Sequence, residues 1–479
     1  MSPLIAQEKP RLVVLADMGN EPDEEQQIVH LLMYANEFDL EGLIAVTGWY
    51  LKPSVKNPYK RVLHPELFHK IIDGYGQVVE NLSMHVNGWP STDYLHSIVY
   101  SGQTGYGIEA TGIGLKTEGS QHLMKCLEKE DARPLYIVVN AGSNTLAQAL
   151  LNYEATHTKE ELEKLIVKVR VFENGAQDNA GAWICNRYPD IHWVRSNYQT
   201  YSYGGPVNWK SPDPGNMGPY TWKPYAYSPV GQHQWALEHI KGNHGVLGAL
   251  WPIRQMEDGY VGALEGGGTI PWLGLIHQGL SNVDYPSWGG WSGRFTSTKK
   301  KNVWSKNSTI KKDELNYGDF YVYTEIADTW IDTETDSIYN NIYTPIWRWR
   351  QAFFNDFKAR MDWCVKSFKD ANHNPIIAID GERSEKIYYR KIKSGEILSL
   401  DASDSTDPDG DGLIYNWWVY PEAGTYKKNV NIAESCKPVI SLKIPTDSKG
   451  KTIHLILEVK DRNEIVSLND YRRVVVEVE

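Results

Sequence analysis

Phenylalanine and cysteine are scarce in this sequence, and long runs of any one character are missing. The 479 residues include 9 Phe and 4 Cys. Cys126, Cys185, Cys364 and Cys436 are scattered with no CxxC pair, which excludes a disulfide framework and a thiolate zinc site. No apolar stretch approaches the ~18 residues of a membrane-spanning helix, so no membrane span is expected. Basic runs are equally absent. The longest is Lys299–Lys301, and 49 Lys+Arg against 60 Asp+Glu leave a net charge of −11. A chain so charged repels phosphate backbones, which argues against a nucleic-acid partner.

The other aromatics are abundant, with 18 Trp and 29 Tyr. A core alone favours Phe, because buried indole and phenol groups need hydrogen-bond partners. Amphipathic rings in excess suit a carbohydrate site, where sugar C–H faces stack on aromatics and hydroxyls meet polar groups. A large fold with half-buried Trp and Tyr edges would have the same composition. Apolar (41%) and charged (23%) fractions are those of a globular protein long enough for more than one domain.

Short apolar runs at 11–16, 43–47, 135–139 and 167–172 read as buried parallel strands, each ending in a polar or Gly-rich loop. Helices are expected over 26–36, from Thr145, and over 347–368, so 11–371 reads as an α/β domain. Ligands in such folds bind beyond the carboxyl ends of the strands. Two stretches look irregular: 197–227, read as an excursion over the site, and 296–344. From about residue 374 short strands at 387–392, 397–400, 413–419, 453–459 and 473–478 predict a β-sandwich over 374–479. Residues 1–10 read as a signal remnant cut after Ala6, or as a plain tail; the first reading makes the protein periplasmic or secreted.

The densest chemistry is Asp17-Met18-Gly19-Asn20-Glu21-Pro22-Asp23-Glu24-Glu25, five acids in nine residues at a strand end. Acids at a helix start complement its dipole, which accounts for Glu24 and Glu25 as a solvated turn. Asp17 at the strand tip suggests instead carboxylates held together by a hard cation, with Ca²⁺ the best match. The Tyr285–Phe295 segment, with Trp288 and Arg294, fits either a sugar-stacking wall or a tight turn with Trp in the core. Arg348, Arg350, Arg360 and Asp362 read as internal ion pairs, and the histidines show no ligand spacing. The Asp407-Pro408-Asp409-Gly410-Asp411 run lacks the Glu of an EF-hand and reads as a turn.

The acidic motif resembles that of the nucleoside hydrolases, and more specifically of the nucleoside-hydrolase-like "cellulose-binding protein" family. Gly142–Ala147, Gln177–Gly181, Tyr285–Arg294 and Arg348–Phe357 match in the same order. The Asp407 region resembles an immunoglobulin-like module of the polycystic-kidney-disease type. The resemblance implies a nucleoside-hydrolase-like α/β fold, a mostly parallel sheet with flanking helices, followed by an immunoglobulin-like β-sandwich. It implies Asp17 and Asp23 as catalytic residues and Asp17, Asp23, Glu24 and Asn144 as Ca²⁺ ligands. Asn20, Glu21, Trp49, Asn174, Gln177, Asp178, Glu265, Trp288 and Arg294 are then substrate contacts. A metal-activated water, deprotonated by Asp17, would displace a glycoside or ribosyl group with inversion. One departure stands against this. The family's Glu-Gly-Asp-Thr-Pro segment here reads Glu265-Gly266-Gly267-Gly268-Thr269-Ile270-Pro271, without the Asp. The expected function is an exported glycosyl hydrolase, with a non-catalytic polysaccharide-binding protein as the alternative and homo-oligomerisation open.

Overall fold

The computed structural model describes residues 8–204, 234–255, 261–332 and 336–479. Every side chain of the first strand, β1 (Arg11–Ala16), is buried. Leu12, Val14 and Ala16 enter one hydrophobic core, Val13 and Leu15 another. This two-residue alternation between two cores is that of a strand covered on both faces. It lies inside an eight-stranded sheet with β2 (Asp39–Ala45), β3 (Val99–Ser101), β4 (Leu135–Val139), β5 (Val169–Asn174), β6 (His192–Ser196), β7 (Lys300–Lys301) and β8 (Tyr321–Thr324). The order is β3-β2-β1-β4-β5-β6-β8-β7, parallel throughout except for the β7–β8 pair.

Helix α1 (Pro22–Leu32), which follows β1, packs into the first core. Helices α2 (Asn144–Thr156) and α3 (Ala180–Arg187), which follow β4 and β5, pack into the second. The chain thus leaves β1 and its neighbour β4 toward opposite faces, which opens a crevice at their carboxyl ends, the topological switch point of the sheet.

Beyond a hairpin of β9 (Asp328–Asp332) and β10 (Ser337–Asn341) and the helix α4 (Arg350–Trp363), two sheets enclose a third core. One runs β11-β16-β15-β13, from β11 (Tyr388–Ile392), β13 (Leu413–Val419), β15 (Thr452–Asp461) and β16 (Asn469–Val478). The other pairs β12 (Ile397–Asp401) with β14 (Val439–Lys443). Together they form a β-sandwich.

This sandwich is not a bead on a linker. Tyr420, Ala423, Ile456 and Tyr471 belong to the same core as Trp291, Trp349 and Phe353 of the α/β domain. Arg473, fully buried on β16, donates to the carbonyls of Leu280 (2.6 Å), Trp288 (3.0 Å) and Gly289 (2.9 Å).

Several sequence expectations change. α1 starts four residues earlier than expected, because Pro22 suits the first helical position, and this places Asp23 and Glu24 in the opening turn. The 347–368 helix is broken: Thr344–Trp347 and α4 are separate. The stretch 296–344 is not irregular, since it supplies β7, β8 and the hairpin. Strands β3, β6 and β14 were not among the expected ones. The 197–227 excursion is described only to Gly204, and the leader-like Met1–Gln7 also lies outside the described residues.

Candidate functional site

Immediately after β1 the chain turns, with the Asn20 amide donating to the Asp17 carbonyl (3.0 Å). Gly19 holds φ +86°, and a Cβ there would meet the His64 ring at 2.7 Å, so glycine is required on both counts. The turn brings Asp17, 1% exposed, beside the first turn of α1, and thus beside Asp23 and Glu24. Burial pushes the Asp17 and Glu24 carboxyls well above their usual range, and the neighbouring acids add to it. Asp23 is raised to about 7, by burial and then by the charges of Glu21 and Glu265, with Arg254 pulling the other way.

The sign of this shift gives a prediction. An acid whose folded pKa exceeds its unfolded value stabilises the fold below the unfolded value and loses that contribution as pH rises through the folded one. For Asp23 the window is about pH 4 to 7. In chelator, the melting temperature is expected to fall across that window, and to fall less in Asp23→Asn. A scan of melting temperature against pH for both proteins checks it.

The ends of neighbouring strands complete the walls. After β2, Gly48 sits so close to the cluster that a Cβ would lie 2.5 Å from Gln177 Oε1 and 2.8 Å from Asp17 Oδ2. Gln177 accepts from the Trp49 amide (3.1 Å) and donates to the Asn140 carbonyl (3.0 Å), bridging the ends of β2 and β4. The 265–269 loop closes over α1: Gln26 Oε1 accepts from the Glu265 (2.7 Å) and Gly266 (3.2 Å) amides. Arg254 pairs with both Glu21 (2.9 Å) and Glu265. A Cβ at Gly268 would stand 2.3 Å from Asn140 Nδ2, so the loop segment that lacks the family's Asp is packed against the amide of Asn140. Asn20 Oδ1 is held by Lys60 (2.9 Å).

Buried oxygens around this crevice and the start of α2 that have no hydrogen bond among the described residues include Asp17 Oδ2, Asp23 Oδ1, Glu24 Oε2, Asn140 Oδ1 and Asn144 Oδ1. An all-oxygen set of this kind suits a hard cation. Among the described residues, however, no three acidic, imidazole or thiol groups are gathered as an ion cage.

The mouth is aromatic. Trp49 meets Tyr106 edge-on at 6.1 Å, with Lys52 3.5 Å from the indole centre. Tyr201 lies near enough to Tyr50 and Asp23 for their charges to reinforce the burial that raises its hydroxyl to about 12. Lys306 sits 3.5 Å over its ring. Tyr50, Tyr198 and Tyr201 remain 53%, 42% and 40% exposed. Neither these tyrosines nor Asn140 was singled out from the sequence; the aromatic excess pointed to their kind but not to their positions.

Other expected substrate contacts are engaged within the protein. Asp178 is fully buried and accepts from the amides of Ser143 (3.0 Å), Asn144 (3.2 Å) and Ala180 (2.9 Å), capping α2 and α3. Asn144 is the first residue of α2, and its Nδ2 donates to the Gly105 carbonyl (2.8 Å), while its Oδ1 has no hydrogen bond among the described residues. Asn174 accepts from the Thr200 hydroxyl (2.6 Å). Trp288 and Arg294 lie in the seam with the sandwich: Arg294 pairs with buried Asp328 (2.5 Å) and donates to the Glu422 carbonyl (3.2 Å). The Tyr285–Phe295 segment therefore lies against the C-terminal domain. The Asp407 turn is also structural, since its carboxylate accepts from the Asp409 (2.9 Å) and Asp411 (3.0 Å) amides.

Comparison with known proteins supports this architecture. Residues 11–295 match the family described as cellulose-binding Sde182, nucleoside hydrolase-like domain, and 397–478 match the cellulose-binding protein Sde0182 C-terminal domain. A nucleoside hydrolase-related hypothetical protein from Saccharophagus degradans, described as associated with carbohydrate metabolism, is 33% identical. That similarity covers 98% of this chain and 100% of the other, with a TM-score of 0.81. Three N-terminal domains of the bacteriophage RB49 outer capsid protein Hoc share 9% identity over 22% of this chain and 40% of theirs, at a TM-score of 0.16, which carries no argument. No curated protein sequence matches the chain. With more than half its length matched and a structural relative spanning it end to end, the chain belongs to the cellulose-binding Sde182 family with a nucleoside hydrolase-like domain.

Proposed function

We propose that this protein hydrolyses a glycosidic bond of a carbohydrate or ribosyl-type substrate at the β1–β4 crevice. One observation carries the reading: Asp17, Asp23 and Glu24 lie buried near enough at one strand end for their charges to act on one another, and one oxygen of each has no hydrogen bond among the described residues. Such an arrangement works against stability and is characteristic of functional sites. Asp17, at the strand tip, is placed to accept a proton from water, and its burial strengthens it as a base. The remaining carboxylates would stabilise positive charge developing at an anomeric carbon. Gln177 and Gly48 set where Asp17 stands, and Trp49, Tyr50 and Tyr201 offer stacking faces to the sugar. If Ca²⁺ binds, one or two of the acids with the Asn140 and Asn144 amide oxygens would hold it, and it would supply an acidified water.

A second reading, a polysaccharide-binding protein on a retired hydrolase scaffold, is favoured by the Gly268 loop, which lacks the family's Asp and is packed against Asn140. The family's cellulose-binding description and an aromatic mouth support either reading and fit an exported protein; no helix among the described residues is long and apolar enough to cross a membrane. The N-terminal sequence of the protein recovered from its cells tests export.

The deciding experiment is a turnover screen of cello-, xylo- and manno-oligosaccharides and nucleosides, with calcium and with chelator. A product with inverted anomeric configuration, absent with Asp17→Asn, supports hydrolysis. Binding of glycans with no turnover of any supports the second reading. Gly48→Ala offers a finer check, because its Cβ must displace the Asp17 carboxylate or the Gln177 amide. The expected result is a kcat loss of about 10²-fold with the fold retained by circular dichroism, since misplacement of about 1 Å costs that much.

A further inference from the structure

Two imidazoles meet where the domains join. His85 follows the helical turn Val79–Leu82 of the α/β domain, and His373 stands on the link between α4 and the sandwich. His85 Nδ1 faces His373 Nε2 at 2.9 Å. The other nitrogen of each ring is engaged as well. His85 Nε2 meets the Lys366 carbonyl (3.0 Å), and His373 Nδ1 meets both oxygens of Asp409 (3.0 Å each), in the Asp407 turn of the sandwich. A carbonyl, two rings and a carboxylate thus form one chain with three gaps. We propose that this chain holds one proton more than two neutral histidines supply, so that His373 is an imidazolium latching the sandwich to the α/β domain, and that the latch loosens when this proton leaves.

Counting protons carries the proposal. A carbonyl and a carboxylate only accept, so each gap needs a ring N–H, and two neutral imidazoles bring two. With two protons one gap is left with lone pairs on both sides. With four, two N–H groups oppose each other between the rings. Three satisfy every gap: His85 Nε2–H donates to Lys366, His373 Nε2–H to His85 Nδ1, and His373 Nδ1–H to Asp409. The ring centroids are 5.2 Å apart, so the facing nitrogens lie nearly head-on. Two metal–nitrogen bonds in that line would need about 4 Å, and the 2.9 Å gap fits a proton instead. The surroundings suit a cation at His373. Its own amide donates to Asp409 (2.8 Å), and its ring stacks on Phe368 at 3.9 Å and lies 5.2 Å from Trp363, whose faces attract positive charge. The other charged groups nearby are engaged elsewhere. Lys366 pairs with Asp362 (3.0 Å), which also meets His244 (3.1 Å). Asp461 accepts from Asn372 (2.7 Å), Asp370 from Ser367 (2.6 Å), Asp411 from Asn463 (2.8 Å), and Asp407 from backbone amides of its own turn. Burial, joined by the charge of His373, lowers His85 below the ordinary histidine range against the pull of the Lys366 carbonyl, which keeps the second ring neutral once the first is charged.

The latch does not depend on what the crevice does. It is tested first by nitrogen-15 spectra of the histidine rings in the full chain at pH 6, with His85→Phe and Asp409→Asn assigning the pair. His373 is expected to be protonated at both nitrogens, and His85 to be neutral with its proton on Nε2. Two neutral rings or two charged rings would overturn the proposal. In Asp409→Asn the carboxylate is gone and His373 is expected to be neutral at pH 6; an imidazolium that persists there counts against it. The second readout is the melting temperature of the wild type minus that of His85→Phe, which keeps a ring against Trp363 and removes the need for a third proton. Taking this difference cancels the titration of the crevice acids. It is expected to be about 2–4 °C at pH 6, the worth of a charge-assisted hydrogen bond in a large chain. It is expected to shrink at pH 8.5, where the shared proton leaves. It also shrinks at pH 4.5: a histidine lowered in the fold stabilises it above the ordinary value, and that contribution is lost as pH falls. A difference that stays constant from pH 4.5 to 8.5 would make the pair an ordinary packing contact.

Discussion

Replacing Asp17 by Asn is expected to lower glycoside hydrolysis by about 10²–10⁴-fold, the usual contribution of a positioned proton acceptor. The substitution keeps shape and removes the base. Asp17 is 1% exposed, its Oδ2 lies at the place where a Gly48 side chain would stand, and Asp23 contributes the largest repulsion it feels. The same change is expected to raise the melting temperature, because it deletes one of several like charges from a desolvated site. The gain follows from the direction of the shift. An acid with a raised folded pKa costs stability only where it is ionised, so the gain is larger at pH 8 than at pH 5. Activity assays and calorimetric melting of the two proteins read both effects. Loss of stability at pH 8 together with unchanged turnover would remove Asp17 from the reaction. The combination of lost function and gained stability is what distinguishes a functional acid from a structural one.

The second large effect is expected far from the crevice. Arg473→Met should destabilise the protein by about 3–4 kcal/mol, as judged by urea unfolding, because it leaves the Leu280, Trp288 and Gly289 carbonyls buried without donors at about 1–3 kcal/mol each. Burial also draws the guanidinium down to about 10, so the charge itself is costly and part of the loss is recovered by the apolar replacement. His454, whose ring contacts the guanidinium at 3.0 Å, is held neutral by burial and by that charge. The two domains share one hydrophobic core across this seam, so unfolding is expected to be a single transition. Two separated transitions in the wild-type protein would show that the seam does not couple them.

Much of the crevice was legible from local sequence, for a physical reason. β1 is an apolar run, Asp17 stands at its tip, and acids follow it before the apolar periodicity of a helix. All of these are neighbours in the chain, and short-range sterics and dipoles decide them. The acid cluster, the parallel α/β class and the C-terminal sandwich therefore appeared in the one-dimensional pattern. Strands β6 and β8 did not, because a five- or four-residue strand with polar residues carries little periodic signal and is defined by its partners.

Roles that depend on distant contacts were decided by the tertiary structure alone. Asp178 follows a strand in the same manner as Asp17, yet it caps two helices because three backbone amides converge on it. Arg294 and Trp288 fitted a sugar wall or a tight turn equally, and only the tertiary structure shows the C-terminal domain, about 130 residues later, engaging Arg294 at Glu422. Asn140 had no motif to mark it; its importance comes from lying between Gln177 and the Gly268 loop. The sequence by itself determined where charge and apolar surface alternate, and hence the elements and the acidic turn. Which polar groups end up satisfied, and which are left facing the crevice, is a property of packing, because burial and partners are set by residues hundreds of positions away.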